Sequence, residues 1–473
     1  MEILFGEIEV GGVRRALLVS GVRPQSNLQP EGQFHLVTSF TEALNSFGNL
    51  RRILHRLVDG GADFPNYFFC VIIDFHFLGM LRQSSKIANP HRQFTTGNVR
   101  LGPMFGTIGI LTGGGDAPGL NAVIRAVVKT ATCEYGMRVI GIEDGFEGLL
   151  GATRTRLLAS GDVRGLLPRG GTILGTRNRG RFVETACGDS ERDAESVYEE
   201  AISNMKIVGI DALVVLGGEG TLTIANEFDK RGVPVCGVPK TIDNDLACTE
   251  LTFGFVTALD IATEALDRLH TTAESHDRVM ILEVMGRHAG WIALHSGIAG
   301  GADVILIPEI PFSREAVAAK IRQRDLSGSN FSIIVVAEGA LEIGHELVYQ
   351  DKGDGHRAPR LGGIGVHLQH DLEEVTGRET RCVVLGHLQR GGRPNAFDRM
   401  LATNFGSCAV RALANSKSGV MVALQAGDVV TVPLTEAIKG IKTVPPDGQL
   451  VRTARDTGIS FGAPDEASYH KQQ

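Results

Sequence analysis

Acidic and cationic side chains stand close together in the segment Pro239-Lys-Thr-Ile-Asp-Asn-Asp245, which directly follows an apolar run. Transfer of a phosphoryl group to a hydroxyl needs a base that accepts the hydroxyl proton, and it needs a metal ion. Asp243 is the candidate base, and Asp245 is the candidate to serve the metal and orient that base. Taken alone, the segment is also compatible with a solvated acidic loop.

Two glycine-rich segments also follow apolar runs, Thr112-Gly-Gly-Gly-Asp-Ala-Pro-Gly119 and Gly217-Gly-Glu-Gly-Thr221. Glycine lets the backbone approach a phosphate closely, and the N-terminus of a following helix attracts an anion. Glu219 adds a carboxylate that can hold Mg²⁺, and Thr221 adds a hydroxyl that can cap the helix or bind a phosphate oxygen. Neither segment is a Walker loop, and each alone is also compatible with a tight turn that binds nothing.

Four arginines lie just before or just after two later apolar runs: Arg278, Arg287, Arg381 and Arg390. Guanidinium groups grip phosphate in a forked geometry, so this set predicts a phosphorylated substrate and charge stabilisation in the transition state. Glu338 follows another apolar run and is a candidate to accept hydrogen bonds from sugar hydroxyls. His387 is interpreted as a donor to phosphate, because no second histidine stands at metal-ligand spacing.

Short apolar runs alternate with helical spacing from residue 107 onward, which predicts parallel strands covered on both faces and hence an α/β fold. We expect strands at residues 107–112, 211–216, 233–238, 279–284, 303–307, 332–337 and 381–385. Ligands of such sheets bind beyond the carboxyl ends of the strands, and we expect every motif named above to lie at such an end.

Composition narrows the function classes. The chain has 473 residues, enough for two or three domains, and its net charge of -7 argues against a nucleic-acid partner. Seven scattered cysteines without a CxxC pair predict reduced thiols. The apolar stretch at residues 67–81 is broken by Asp74 and His76, and no signal-peptide pattern is present. We therefore expect a cytoplasmic protein with no membrane partner.

Taken in order, the motifs closely resemble those of the 6-phosphofructokinase family, phosphofructokinase type A. The two glycine-rich segments and residues 239–245 carry the resemblance together with Glu283-Val-Met-Gly-Arg-His and Gly386-His-Leu-Gln-Arg-Gly-Gly. It runs from about residue 105 to about residue 462, and residues 263–274 and Trp291 look most like the actinobacterial, ATP-dependent or mixed-substrate members. It implies two Rossmann-like parallel-sheet domains in three α/β/α layers.

The resemblance also implies a reaction. The γ-phosphoryl group of ATP would pass to the 1-hydroxyl of D-fructose 6-phosphate, giving fructose 1,6-bisphosphate and ADP in glycolysis. It implies Mg²⁺ as cofactor and an allosteric enzyme that forms a homodimer or homotetramer with shared active sites. Arg278 and Arg381 would reach into the site of a neighbouring subunit.

The roles implied by the resemblance fall into three sets. The catalytic set is Asp243 as base, with Thr241, Arg287 and Asp245. The set at the phosphoryl donor is Gly115, Phe146 against the adenine, Arg177, Gly218, Glu219 as the metal residue, Gly220 and Thr221. The set at the sugar phosphate is Thr241, Ile242, Asp243, Arg278, Met285, Gly286, Arg287, Glu338, Arg381, His387, Leu388, Gln389 and Arg390.

Two positions depart from the family's pattern. Asn178 stands where relatives carry an arginine, with Arg177 and Arg179 on either side, which puts one donor contact in doubt. Pyrophosphate-using relatives carry Asp at the position of Gly220 and Lys at the position of Lys240. Gly220 leaves room for the α-phosphate of ATP, where a carboxylate would crowd and repel it, so we favour ATP. A pyrophosphate-dependent fructose 6-phosphate 1-phosphotransferase is the alternative.

Two other classes of protein fit these motifs less well. NAD and lipid kinases carry a similar Gly-Gly-Asp-Gly-Thr loop but lack residues like 239–245 and 386–392. A non-catalytic sugar-phosphate sensor would usually have lost a base or a metal carboxylate, whereas Asp243, Asp245 and Glu219 are all present.

Along the chain, we expect residues 1–103 to be an extension outside the enzyme, with a natural start near Met104 or, alternatively, an accessory domain. We expect a donor-binding half at residues 104–245 and a sugar-phosphate-binding half at residues 246–462, with some of the chain crossing back. Residues 463–473 are expected to form a flexible tail.

Overall fold

The computed structural model describes residues 105–177, 180–182, 191–351, 360–464 and 466, and the strand backbone at residues 2–10, 13–21 and 69–74. The chain divides into two units, Met1–Asn98 and Val99–Gln473. In the first unit, β1 (Glu2–Val10), β2 (Val13–Gly21) and β3 (Phe69–Asp74) form an antiparallel sheet in that order. Apart from Ala463, Pro464 and Glu466, the expected tail lies outside the described residues.

The second unit alternates strands and helices. Its first part contains β4 (Thr107–Thr112), α1 (Leu120–Glu134), β5 (Arg138–Ile142), β6 (Thr155–Leu157), α2 (Glu191–Val208), β7 (Ala212–Gly217), α3 (Glu219–Lys230) and β8 (Val235–Pro239). Next come α4 (Phe255–His276), β9 (Val279–Val284), α5 (Trp291–Ala299), β10 (Val304–Leu306), α6 (Arg314–Leu326), β11 (Ser332–Ala337), β12 (Tyr349–Asp351), β13 (Arg360–Leu361), α7 (Ile364–Thr376) and β14 (Thr380–Val384). The last elements are α8 (Ala396–Ala414), β15 (Val420–Gln425), β16 (Asp428–Pro433), α9 (Leu434–Ala437) and α10 (Gln449–Asp456).

Two main sheets organise this unit. The first has the order β16-β15-β8-β7-β4-β5-β6 and is parallel from β15 to β5, with one antiparallel strand at each edge. The second, β10-β11-β9-β14, is parallel throughout. β15 and β16 follow the second sheet along the chain but pair in the first, so the chain returns to the sheet where it began.

Each main sheet is covered on both faces. α1 and α8 pack on one face of the first sheet, and α2 and α3 pack on the other. α4, α5 and α10 cover one face of the second sheet, and α6 and α7 cover the other. Every residue of β4, β7, β9 and β11 is consequently buried, which explains their continuous apolar sequences. The predicted α/β fold with two three-layer parallel-sheet domains is confirmed.

The helices that follow β4 and β7 begin at the strand ends because the glycine-rich segments turn the chain there. Gly119 precedes α1 with a φ of 112°, a left-handed conformation that favours glycine. Leu120, Val123, Ile124 and Val127 recur at helical spacing and bury one face of α1. The N-termini of α1 and α3 therefore lie near the carboxyl ends of the strands that precede them. No helix that the structure describes has both the length and the apolar character needed to cross a membrane.

Candidate active site

The carboxyl ends of β4, β7 and β8 open into one cavity of about 420 Å³. Parallel neighbours end at the same edge of a sheet, so the segments that follow these strands meet there. The cavity is lined by all the residues predicted for the phosphoryl donor, which are Gly115, Phe146, Arg177, Gly218, Glu219, Gly220 and Thr221. Asp245, predicted to serve the metal, also lines it, as do Thr241 and Arg390 from the set predicted for the sugar phosphate and catalysis.

The glycines at this edge of the sheet are needed for different physical reasons. A Cβ on Gly217 would lie 2.3 Å from Cβ of Thr221, and a Cβ on Gly113 would lie 2.5 Å from its Cγ2. These two glycines are therefore required by the buried Thr221 side chain that packs between the two loops. Around Gly220, by contrast, an added Cβ would meet no atom within 4 Å. Gly220 leaves open space at the first turn of α3.

Two cationic side chains face the loop that follows β4. The ammonium of the buried Lys240 donates a hydrogen bond to the carbonyl of Gly115. Arg390 donates to the carbonyl of Asp116 at 3.2 Å and lies so close to Gly115 that a Cβ there would be 2.8 Å from its Nη1. Burial lowers the pKa of Lys240 to about 8, and the charge of Arg390 adds to that shift. Two cations beside a helix N-terminus form a site for a polyanion.

Part of the cavity wall is aromatic. Phe146 stacks on Phe228, with ring centroids 5.2 Å apart and planes at 9°. Phe182 lies 5.5 Å from Phe146, and its amide donates to Oε1 of Glu147 at 3.2 Å. Phe182, Glu147 and Asp144 all line the cavity, although sequence reasoning did not find them. A cavity that combines aromatic and cationic side chains suits a ligand with a planar base and a polyphosphate.

Arg177 lines the cavity near this wall, and its Nη2 lies 3.5 Å from Oδ2 of Asp144. This ion pair fixes the one member of the Arg-Asn-Arg segment that the structure describes. Asn178 and Arg179, on which the predicted departure from the family's pattern depends, lie outside the described residues.

Asp243 stands beside the cavity, in the turn after β8. Its Oδ1 atom is buried and has no hydrogen-bond partner among the described residues, while its backbone amide donates to Oγ1 of Thr241 at 3.1 Å. Burial raises the pKa of Asp243 to about 6, with a smaller contribution from the carboxylate of Asp245 and opposition from Arg390 and Lys240. A buried carboxylate with a pKa close to neutrality is what a general base requires.

The side chain of Ile242 points the other way and is fully buried in the core beneath the second sheet. Thr241 and Asp245 line the cavity, and Asp243 lies between them in the chain. The segment 241–245 therefore places Thr241 and Asp245 at the cavity with Asp243 beside it, and keeps Ile242 in the core.

The carboxyl ends of β9 and β11 bring a second group to Asp243. Residues 285–287 follow β9, and Glu338 follows β11, its parallel neighbour. The amide of Gly339 donates to the carbonyl of Gly286 at 3.1 Å and joins the two turns. Burial raises the pKa of Glu338 to about 7, and the nearby carboxylate of Asp243 adds to the shift. Arg287, which is exposed, acts in the opposite direction.

The turn at residues 386–390 distributes its side chains in three directions. Gln389 is buried, and its Oε1 accepts a hydrogen bond from the amide of Met285 at 2.7 Å. Gln389 thus holds residues 285–287 in place, while Arg390 reaches the loop after β4. His387 and Leu388 are exposed.

Comparison with known proteins agrees with this geometry. The family model described as phosphofructokinase matches residues 107–413, well over half of the chain. The chain belongs to the phosphofructokinase family. The predicted resemblance is therefore confirmed, and the matched range contains every motif on which it was based.

Individual relatives of this family are close. A protein of Chloroflexus aurantiacus named ATP-dependent 6-phosphofructokinase is 59% identical over 75% of this chain and 97% of its own length. A protein of Amycolatopsis methanolica named pyrophosphate–fructose 6-phosphate 1-phosphotransferase is 51% identical over 72% of this chain and 96% of its own. The crystal structure of Pichia pastoris phosphofructokinase in the T-state superimposes with a TM-score of 0.61 and 35% identity. That match covers 74% of this chain but only 36% of the Pichia chain.

Arg278 and Arg381 do not join the other predicted phosphofructokinase site residues. They stand at the amino ends of β9 and β14, where both approach Glu379 with N–O distances of 2.8 and 2.5 Å. A six-residue strand separates them from the carboxyl ends by roughly 20 Å. The expectation that all the motifs lie at carboxyl ends is therefore wrong for these two arginines, because each precedes or opens its strand.

The carboxylates at the cavity suit a magnesium ion that is held in part by the phosphates of a bound ligand. Within the described residues, no group of three or more His, Cys, Asp or Glu side chains is placed to hold a metal ion. Mg²⁺ usually takes one or two protein carboxylates and completes its shell with water and substrate phosphates. Glu219 and Asp245 both line the cavity and supply carboxylates of this kind.

We predict that Asp243→Asn stabilises the fold at alkaline pH. The pKa of Asp243 is about 6 in the folded protein, against 3.8 for the ordinary group, so above pH 6 the folded state carries a charge that burial disfavours. The amide removes that cost, and the gain in unfolding free energy should be about 1–3 kcal/mol at pH 8 and smaller at pH 5.

Chemical denaturation at both pH values measures this gain. Asp447→Asn, which alters an exposed carboxylate, is the control and should change neither value. A variant at position 243 that is less stable than the native protein at pH 8 would contradict the assignment of a buried, disfavoured charge.

Proposed function

We propose that the chain is an ATP-dependent 6-phosphofructokinase, which transfers the γ-phosphoryl group of ATP to the 1-hydroxyl of D-fructose 6-phosphate in glycolysis. The proposal depends mainly on Oδ1 of Asp243, which has no hydrogen-bond partner among the described residues and lies next to a cavity lined by three cationic side chains and four carboxylates. Relatives named for this activity match almost their whole length to this chain, which supports both the donor and the acceptor.

The donor's phosphates fit the loop end of the cavity. Gly115 and residues 218–221 offer backbone and a helix N-terminus, and Lys240 and Arg390 offer positive charge. The adenine then faces the aromatic part of the wall, which Phe146 and Phe182 form. Glu219 and Asp245 would hold Mg²⁺, which when bound neutralises charge on the donor's phosphates.

The acceptor fits beside residues 285–287 and Glu338. Asp243 takes the proton of the 1-hydroxyl as the new oxygen–phosphorus bond forms and the bond to the β-phosphate oxygen breaks. Arg287 presents an exposed guanidinium that can balance charge on the transferring group. Glu338, with a pKa raised to about 7, can accept or donate a hydrogen bond to a sugar hydroxyl near neutrality.

We predict that Asp243→Asn lowers kcat by at least about 10², because the amide cannot accept the hydroxyl proton. The assay couples formation of fructose 1,6-bisphosphate to a detectable product, with fructose 6-phosphate, Mg²⁺ and ATP. For the native enzyme, kcat/KM should fall as the pH drops through about 6, where Asp243 becomes protonated. Asp447→Asn is the control and should keep native turnover. Near-native turnover of Asp243→Asn would show that Asp243 is not the base.

The donor is the point on which the alternative activity depends. Lys240 suits either donor, and the Amycolatopsis relative at 51% identity is named for pyrophosphate. The open space at Gly220 favours ATP, because a nucleotide is larger than pyrophosphate and its α-phosphate needs room.

We predict that Gly220→Asp reduces kcat/KM for ATP by at least about tenfold, since a carboxylate brought against a phosphate in a partly buried cavity repels it by more than 1 kcal/mol. Gly220→Ala is the matched control and should stay close to native, because its Cβ meets nothing within 4 Å. The measurement is kcat/KM for ATP and for pyrophosphate in all three proteins. A higher kcat/KM for pyrophosphate than for ATP in the native enzyme would contradict ATP as the donor.

We also infer that the enzyme works as a homo-oligomer with shared sites. Arg278 and Arg381 lie at the end of the second sheet away from Asp243, and Nε of Arg278 is buried without a hydrogen-bond partner among the described residues. In β14, an edge strand of the second sheet, Val383 and Val384 are 38% and 49% accessible, which is unusual for strand residues of a parallel sheet. These features support an arrangement in which both arginines serve the phosphate site of a neighbouring subunit.

Subunit complementation tests the shared site. Asp243→Asn and Arg381→Ala should each be impaired, whereas hybrids refolded or co-expressed from both should regain activity, because one site in each hybrid dimer contains both native residues. Hybrids of two differently tagged Asp243→Asn subunits are the control and should stay inactive. A fully active monomer, or hybrids with no regained activity, would contradict the inference.

A further inference from the structure

Lys442 lies far from the motifs along the chain but contacts the turn that carries Asp243 and Asp245. Its Nζ atom donates to Oδ1 of Asn244 at 3.1 Å and to the carbonyls of Thr249 and Glu250, each at 2.9 Å. An ammonium group has three protons, and all three have an acceptor here. A solvated surface lysine would not meet this condition.

The residue that Lys442 grips has an unusual backbone. Asn244 separates the two aspartates and adopts a φ of 52°, in the left-handed region that few residues other than glycine enter. Its Oδ1 also accepts from the amide of Thr252 at 3.1 Å, and its Nδ2 donates to the carbonyl of Glu250 at 3.2 Å. The side chain of Asn244 is thus fixed at both ends, and Lys442 supplies one of the bonds.

The backbone of Lys442 holds the same turn. Its amide donates to the carbonyl of Asp245 at 2.8 Å, and Ile441 pairs with Leu246 in an antiparallel bridge. Residues 441–442 therefore run alongside the last part of the turn.

The strip at residues 441–444 is itself attached to elements of the second sheet's layers. Nε1 of Trp291 donates to the carbonyl of Lys442 at 2.8 Å, and the ammonium lies 5.7 Å from the indole ring. The amide of Val444 donates to Oε1 of Glu309 at 2.7 Å. Lys442 accordingly ties the turn after β8, in the first sheet, to α5, which packs on the second sheet.

We propose that Lys442 is a positioning residue for the catalytic turn. By holding Asn244 in its left-handed conformation, it keeps the flanking Asp243 and Asp245 directed at the acceptor and at the cavity. This inference rests on the proposed function, since it assigns Lys442 a part in the step that Asp243 performs. It adds a residue that none of the motifs contains.

Lys442→Met tests the proposal, because methionine keeps most of the side-chain volume and removes the ammonium. We expect kcat to fall by about 10- to 100-fold, because misplacement of a catalytic group by about 1 Å can cost up to about 100-fold in rate. KM for ATP and fructose 6-phosphate should stay within about threefold, because the walls that bind them are intact. Lys442→Arg should recover part of kcat. Lys439→Met, in the same segment but exposed and paired with Glu436, is the control and should remain native.

A double-mutant cycle with Asn244→Gly separates positioning from general stability. Glycine tolerates the left-handed backbone but lacks the acceptor, so the two variants break the same contact from opposite sides. If Lys442 acts through Asn244, the double variant loses little more kcat than the worse single variant. If the losses in kcat of the two single variants multiply in the double variant, the proposal is overturned. Where Lys442→Met gives little folded protein, Asn244→Gly alone must show the same fall in kcat at near-native KM.

The outcomes also separate this inference from the proposed function. A native protein without activity toward fructose 6-phosphate and either donor would defeat the proposed function. An active native protein whose Lys442→Met variant has a lower melting temperature but an unchanged kcat would defeat only the positioning role.

Discussion

The burial of ionised groups at the end of β8 is the constraint on which the rest of the site depends. Lys240, Asp243 and Asp245 occupy one short turn, and burial penalises the charged forms of both Lys240 and Asp243. Removing such charges from water costs more than a single ion pair returns unless further contacts support them. The carbonyl of Gly115 accepts a hydrogen bond from Lys240, and the charge of Arg390 favours the ionised form of Asp243, although it acts against that of Lys240. The hydrogen bonds around Asn244 hold the turn between the two aspartates. The glycine loop, the turn at residues 386–390 and the strip at residues 441–444 therefore all converge on this one turn.

The two-sheet architecture makes that convergence possible. In the proposed reaction, the first sheet would supply the donor loops and the base, and the second sheet would supply residues 285–287 and Glu338, each at the carboxyl ends of its strands. A reaction between two substrates needs both held against one base, so each sheet supplies one wall. Gln389 and Lys442 hold these two walls in place. Gln389 accepts a hydrogen bond from the amide of Met285, and Lys442 donates one to Asn244 in the turn after β8.

Much of this was predictable from sequence because parallel strands leave a strong local signal. β4, β9 and β11 have the bounds expected from their apolar runs, and the loops after β4 and β7 lie where their glycines predicted. Of the aromatic wall, Phe146 was expected from the resemblance, whereas Phe182 was not found, since it reaches Phe146 and Glu147 from a separate segment that meets them only in the folded chain. Thr221 shows the other limit: the sequence suggested that Gly217 admits a phosphate, whereas the structure shows that Thr221 fills the space beside it. Whether a glycine serves a ligand or a neighbouring side chain depends on packing, which no local pattern contains.

The values at Lys240 and Asp243 also indicate what the site is prepared for. Their pKa values, about 8 and about 6, lie closer together than those of an ordinary lysine and aspartate, because burial acts against both charges. At pH 7 both groups are mostly ionised, because the pKa of each lies about one unit from that pH. A bound polyphosphate would place negative charge beside Lys240 and Arg390 and so favour the ammonium, while Asp243 stays basic enough to take a proton from a hydroxyl. The same burial that makes the charges of this turn costly thus makes the turn responsive to an anionic ligand, and this is why the charges, rather than the glycines alone, identify the chemistry.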